Sequence, residues 1–174
     1  MKSVHTVLAA ALACLLLPAC TGSSPEEEAG KIITQKGGSK SEITALSKKG
    51  LPHLKKVLES KSSVARMAAI SALGELKGDA EATKLLIEIT KKQDYNEPYY
   101  AVIALGHQGA PEAKDVIVGA YKSPNARLRA AACAATAELG DKSLYPYLNR
   151  ALYDKDTQVR ETARMVKMRF KIRD

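Results

Sequence analysis

Three groups of residues in this 174-residue chain could do chemistry: the histidines, the cysteines and a spaced series of arginines. His5, His53 and His107 stand far apart, and none has a His or Glu at i+3 or i+4 to bring two ligands onto one helical turn. A zinc or di-iron site is therefore not expected. Cys14, Cys20 and Cys133 are too few for a disulfide framework and have no neighbouring histidine to activate a thiolate. No glycine-rich phosphate loop and no nucleophile elbow occurs, so no catalytic residue, metal or cofactor is assigned. Arg66, Arg129 and Arg160 offer forks of donors that can satisfy several carbonyls or a carboxylate at once. Tyr99 and Tyr100 offer large rings with a polar tip, suited either to a core or to an anchor for a partner.

The elements that hold these residues follow from composition and periodicity. Aromatics make up 5% of the chain with no Trp, so a core must come from the frequent Ala, Leu, Ile and Val, which suits close-packed helices better than a sandwich. A hydrophobic share of 45% against 26% charged residues excludes a wholly disordered chain and a multi-span membrane protein. The balance is basic, +8 at neutral pH. No aromatic residues interleave with the basic ones, which argues against nucleic acid as the partner.

The first residues read as an address. Lys2 precedes an unbroken apolar run from Val7 to Leu17, about half of the roughly 20 residues needed to span a bilayer, so a removed signal peptide is expected over 1–19. Leu17-Pro18-Ala19-Cys20 resembles the bacterial lipobox, which implies acylation of Cys20 and anchoring at a membrane in the cell envelope. Thr21 after the cysteine resembles lipoproteins sorted to the outer membrane, should the host be Gram-negative. The alternative is ordinary cleavage after Ala11-Leu12-Ala13, which would leave Leu15 to Leu17 exposed at a new terminus. Residues 20–40, rich in Gly, Ser, Glu and Lys, read as a flexible tether carrying the folded domain of residues 41–174.

That domain repeats. Gly78, Gly109 and Gly140 are 31 residues apart, and Ala69, Ala101, Ala132 and Ala163 recur in the same register, as do Ala72, Ala104 and Ala135. Apolar positions inside each unit follow helical spacing, broken once by polar residues, so each unit is a helical hairpin. Helices are predicted over 51–60 with 63–77, 79–92 with 97–107, 111–122 with 125–139, and 141–153 with 156–171, after a short leading helix over 41–49. Gly78, Gly109 and Gly140 suit a left-handed residue just past a helix end. Asp79, Pro111 and Asp141 suit the start of the next helix.

The segments VARMAAISALGELKGDAEA (Val64 to Ala82), ALGHQGAPEA (Ala104 to Ala113), LRAAACAATAELGD (Leu128 to Asp141) and YDKDTQVRETA (Tyr153 to Ala163) resemble HEAT repeats, closest to the HEAT-like repeats of phycobilin lyases. The resemblance implies an all-α fold, a right-handed α-solenoid of about four hairpins. It also implies that Arg66, Arg129 and Arg160, at one repeat position, are structural, pairing with acidic residues near the preceding turn; for Arg160 these would be Asp154 or Asp156. Pro98 takes that position in the second unit. Second helices line the concave face of such solenoids, which would put Tyr99, Ile103 and His107, at i, i+4 and i+8, on a partner-binding stripe with Tyr100 beside it. HEAT-repeat hydroxylases bind iron through His-Glu dipeptides, and this sequence has none.

The expectation is a membrane-anchored, non-catalytic adaptor binding a protein in the bacterial cell envelope, with no nucleic acid and no metal. Two alternatives stay open: a lyase-like or chromophore-handling protein, and an electrostatic binder of anionic envelope surfaces. For the latter, Arg160, Arg164, Lys167 and Lys171 fall on one face of the last helix.

Overall fold

A computed structural model of the chain describes residues 40–94 and 96–172. The expected signal peptide, Cys20 and nearly all of the expected tether lie outside the described residues. Among the described residues there are nine α-helices and no strand: α1 Lys40–Ser47, α2 Leu51–Leu58, α3 Ser63–Leu73, α4 Ala80–Thr90, α5 Glu97–Gln108, α6 Ala113–Tyr121, α7 Ala126–Leu139, α8 Tyr145–Ala151 and α9 Thr157–Phe170. A 3-10 turn, Lys142–Leu144, leads into α8. The chain is all-α and forms an α-solenoid of four hairpins, α2–α3, α4–α5, α6–α7 and α8–α9, with α1 packed on α3.

Local chemistry sets the joints. Gly78, Gly109 and Gly140 all have φ between 71° and 76°, the left-handed conformation that a Cβ opposes. Helix starts are capped by side-chain oxygens: Asp79 accepts from the backbone N–H of Glu81 and Ala82, Asn125 from Arg127, and Asp156 from Gln158 and Val159. The first hairpin's second helix ends at Leu73, short of the expected 77, because its last turn tightens: Gly74, Glu75 and Leu76 donate to Ser71, Ala72 and Leu73. The helix expected from 141 begins instead as the 3-10 turn, and α8 proper opens with Pro146 in its first turn, where a missing N–H leaves no bond unmade. Pro111 precedes α6 by two residues.

The core is a strip of small and branched side chains between the two helices of each hairpin. Leu54, Val57, Ile70, Leu73, Leu86, Leu105 and Ile117 fill it, and the alanine columns seal contacts between successive second helices. Leu148, Val159, Ala163 and Cys133 form a second cluster under the last hairpin. The four second helices pack in series, α3 on α5, α5 on α7, and α7 on α9. Their approach is close enough to need glycine: a Cβ on Gly106 would stand 2.6 Å from the Ala135 carbonyl oxygen and 2.8 Å from its Cα. Gln108, buried at the end of α5, ties two units by donating to the Leu76 carbonyl at 2.9 Å while accepting from the Thr83 hydroxyl at 2.8 Å.

Candidate functional site

The turns between paired helices are held by the arginine series. Arg66 Nη1 donates to the carbonyls of Ser60 and Lys61, Arg129 Nη1 to those of Ser123 and Pro124, and Arg160 Nη1 to those of Asp154 and Lys155. Each guanidinium therefore closes the turn five and six residues upstream. Carboxylates come from the following unit. Arg66 Nε pairs with Glu97, and Arg129 meets Asp154 through two bonds of 2.8 Å. Asp154 serves Arg160 only through its backbone carbonyl, and Asp156 caps α9. Where Pro98 interrupts the series, Lys92 Nζ donates to Glu97 at 2.9 Å, so the Glu97 carboxylate joins two cations. Burial pushes the Glu97 carboxyl up, but the hydrogen bonds from Lys92 and Arg66 overcome it and hold it below the usual carboxylate range. The Arg129 guanidinium holds Asp154 low, against burial.

Facing away from these turns, side chains from all four second helices meet at one depression of about 320 Å³. The hollow is thus lined by the second helix or the following turn of every hairpin, together with α1. Tyr100, Ile103 and His107 of α5 line its middle, with Ser71 and Glu75 on one side and Glu138 and Arg169 on the other; Lys40 and Ile43 of α1 close the near end. Tyr100, Ile103 and His107 follow i, i+3, i+7 spacing, so one stripe of α5 faces the groove. Tyr99 lies beside this stripe. Its ring meets Tyr100 edge-on at 5.3 Å and carries the Arg127 guanidinium 5.4 Å from its centroid. Burial raises the Tyr99 hydroxyl above its ordinary value, the neighbouring Tyr100 adds to that, and Arg127 opposes it.

His107 lies between two carboxylates at the centre of the groove. Its Nε2 lies 3.0 Å from Glu75 Oε1 and its Nδ1 3.2 Å from Glu138 Oε2. A neutral ring donates from one nitrogen only, so both contacts are hydrogen bonds when the ring carries two protons. Glu75, His107, Glu138 and Arg169 are spaced by 32, 31 and 31, one position per unit, so the repeat itself lays a line of ionisable side chains along the groove. Reading the histidine alone misses this line, although the repeat spacing holds it. Among the described residues no group of three His, Cys, Asp or Glu could hold a metal ion, and the two carboxylates approach the imidazole from opposite nitrogens.

Cys133 sits elsewhere, buried on α7 with its Sγ donating to the Arg129 carbonyl at 3.4 Å. Burial pushes its thiol up to about 12, which keeps it protonated and inert. Tyr121 stacks on Tyr147 at 5.7 Å and bonds the Thr136 hydroxyl at 2.9 Å, so these rings belong to the packing between α6, α7 and α8.

Comparison with known proteins agrees with this geometry. No curated protein matches the chain. Residues 83–166, from within α4 to within α9, match the family model for HEAT repeats. With its helical hairpins stacked in register and its arginines closing successive turns, the chain carries HEAT repeats over residues 83–166.

Proposed function

We propose that this protein is a lipid-anchored scaffold in a bacterial cell envelope that holds a protein segment along its inner groove, without catalysis. HEAT repeats suggest a protein-interaction scaffold, because a curved stack of hairpins presents one long concave surface. The observation that carries the reading is the groove itself: half-buried Tyr100 and Ile103 form an apolar floor, and the Glu75–His107–Glu138 line beside it supplies directional polar contacts. Apolar anchors beside fixed polar groups are what a protein segment needs for affinity and register. Among the described residues no helix is long and apolar enough to cross a membrane. Anchoring in this reading rests on Cys20 and the sequence before it.

A photo-crosslinking side chain at Ile103 in living cells tests the binding. One defined adduct is expected, lost when Tyr100→Ala is added and absent when the crosslinker is at Lys122 on the opposite row of helices. An adduct pattern independent of position 100 would remove the groove from the function. Growth with labelled palmitate should label the chain, and Cys20→Ser should abolish the label; an unlabelled chain would remove the lipid anchor.

A further inference from the structure

The last hairpin ends the stack with a face that no earlier unit has. The repeat position occupied by Gly74, Gly106 and Ala137 becomes Met168, and the position of Ile70, Val102 and Cys133, buried in each case, becomes the exposed Arg164. In the earlier units these positions admit the next second helix at a distance where a Cβ on Gly106 would already overlap backbone. Met168 and Arg164 close that approach. A fifth hairpin, or a second copy joined end to end, cannot pack on α9 as α7 packs on α5.

What α9 offers instead is an apolar centre between cations. Met168 is 72% exposed, Met165 58% and Phe170 42%, all large hydrophobic groups open to solvent. On helical spacing Met165 and Met168 lie opposite the buried Ala163 and Val166, with Arg164 on one flank and Arg169 on the other. Arg169 lies 5.6 Å from the Phe170 ring centroid. Arg160, Arg164, Lys167 and Arg169 stand on α9 against Glu161 alone, and Lys171 follows.

We propose that the exposed face of α9 around Met165 and Met168 docks on an anionic phospholipid surface. Met165 and Met168 enter the interfacial layer, and Arg164 and Lys171 hold lipid phosphates beside them. Long flexible side chains with charged tips suit a fluid interface, where their stems bury while the charges reach the headgroups. A rigid helix would need small residues at this face, such as α5 presents to α7. Met165, Met168, Arg164 and Lys171 are none of them residues of the inner groove.

The chain contains no Trp, so one introduced indole reports its own position. In the complete chain, the fluorescence of Met168→Trp should shift to the blue on adding vesicles containing phosphatidylglycerol, but not with phosphatidylcholine alone, and the shift should fade with salt. Lys56→Trp, at the other end of the solenoid, should not shift. The pair Arg164→Glu and Lys171→Gln should weaken binding to the anionic vesicles by at least about tenfold while leaving the melting temperature unchanged. The proposal is overturned by a shift at position 56 and not at 168, by equal shifts with both lipids, by no shift at 168, or by lipid-free dimers that depend on Met168.

Discussion

Arg129 and Asp154 meet fork to fork across a unit boundary, Nε to Oδ2 and Nη2 to Oδ1, each at 2.8 Å, while the same guanidinium holds two carbonyls of its own turn. Both side chains are largely buried, at 8% and 15% exposure. One residue thus fastens its own hairpin and the next one together. Arg129→Ala should destabilise the fold by about 3 kcal/mol, because it strands a carboxylate and two carbonyls. Arg160→Ala should cost about 1 kcal/mol, since Arg160 bonds carbonyls and the Thr157 hydroxyl but no carboxylate. Urea unfolding of the two variants makes the comparison, and equal losses would contradict the coupling between units.

Acid should loosen the same joints. The Asp154 and Glu97 carboxyls both titrate lower in the folded chain than in the unfolded one, so the stability they contribute is complete above the ordinary carboxylate range, about pH 4. That contribution is lost as pH falls from there through their lowered folded values. Melting temperature followed from pH 7 downward should fall on the acid side, and the fall should be shallower in Asp154→Asn, which has no carboxylate left to protonate.

Close helix approach makes opposite predictions for two glycines. Gly106→Ala puts a methyl against the backbone of Ala135 and should destabilise by about 1–3 kcal/mol, despite the better helix propensity of alanine. Gly119→Ala, inside α6, meets nothing within 4 Å and should stabilise by up to about 1 kcal/mol. Thermal melts of the pair separate packing from propensity.

Cys133 should resist alkylation. With full burial and its thiol pushed up to about 12, almost none is thiolate at neutral pH. Peptide-level mass spectrometry after iodoacetamide treatment should find Cys133 unmodified in native protein and fully modified in urea; native labelling would show that α7 opens.

Much of the fold is legible in the sequence because its determinants are local. Gly140 and Asp141 write a helix end and a helix start into adjacent residues, and each works through bonds that span a few positions. Contacts between units are harder to read. Arg66 finds its carboxylate 31 residues on and Arg129 finds its own 25 residues on, so no single spacing predicts the partner of Arg160. The groove shows the same division. Counting i, i+4, i+8 along α5 groups Tyr99 with Ile103 and His107, whereas in the structure Tyr100, at i, i+3, i+7, lines the groove with them. The close approach of Gly106 to Ala135 is likewise a fit between surfaces that periodicity does not encode.

The serial stacking of α3, α5, α7 and α9 also dictates how the molecule comes apart. Each hairpin borrows order from its immediate neighbours, so the array behaves as a short one-dimensional lattice whose terminal sites have one bond where inner sites have two. Fraying starts at α1 and α9, and amide protons in α5 and α7 exchange last. A load pulling on either terminus would peel hairpins off one at a time rather than rupture the whole array in a single event.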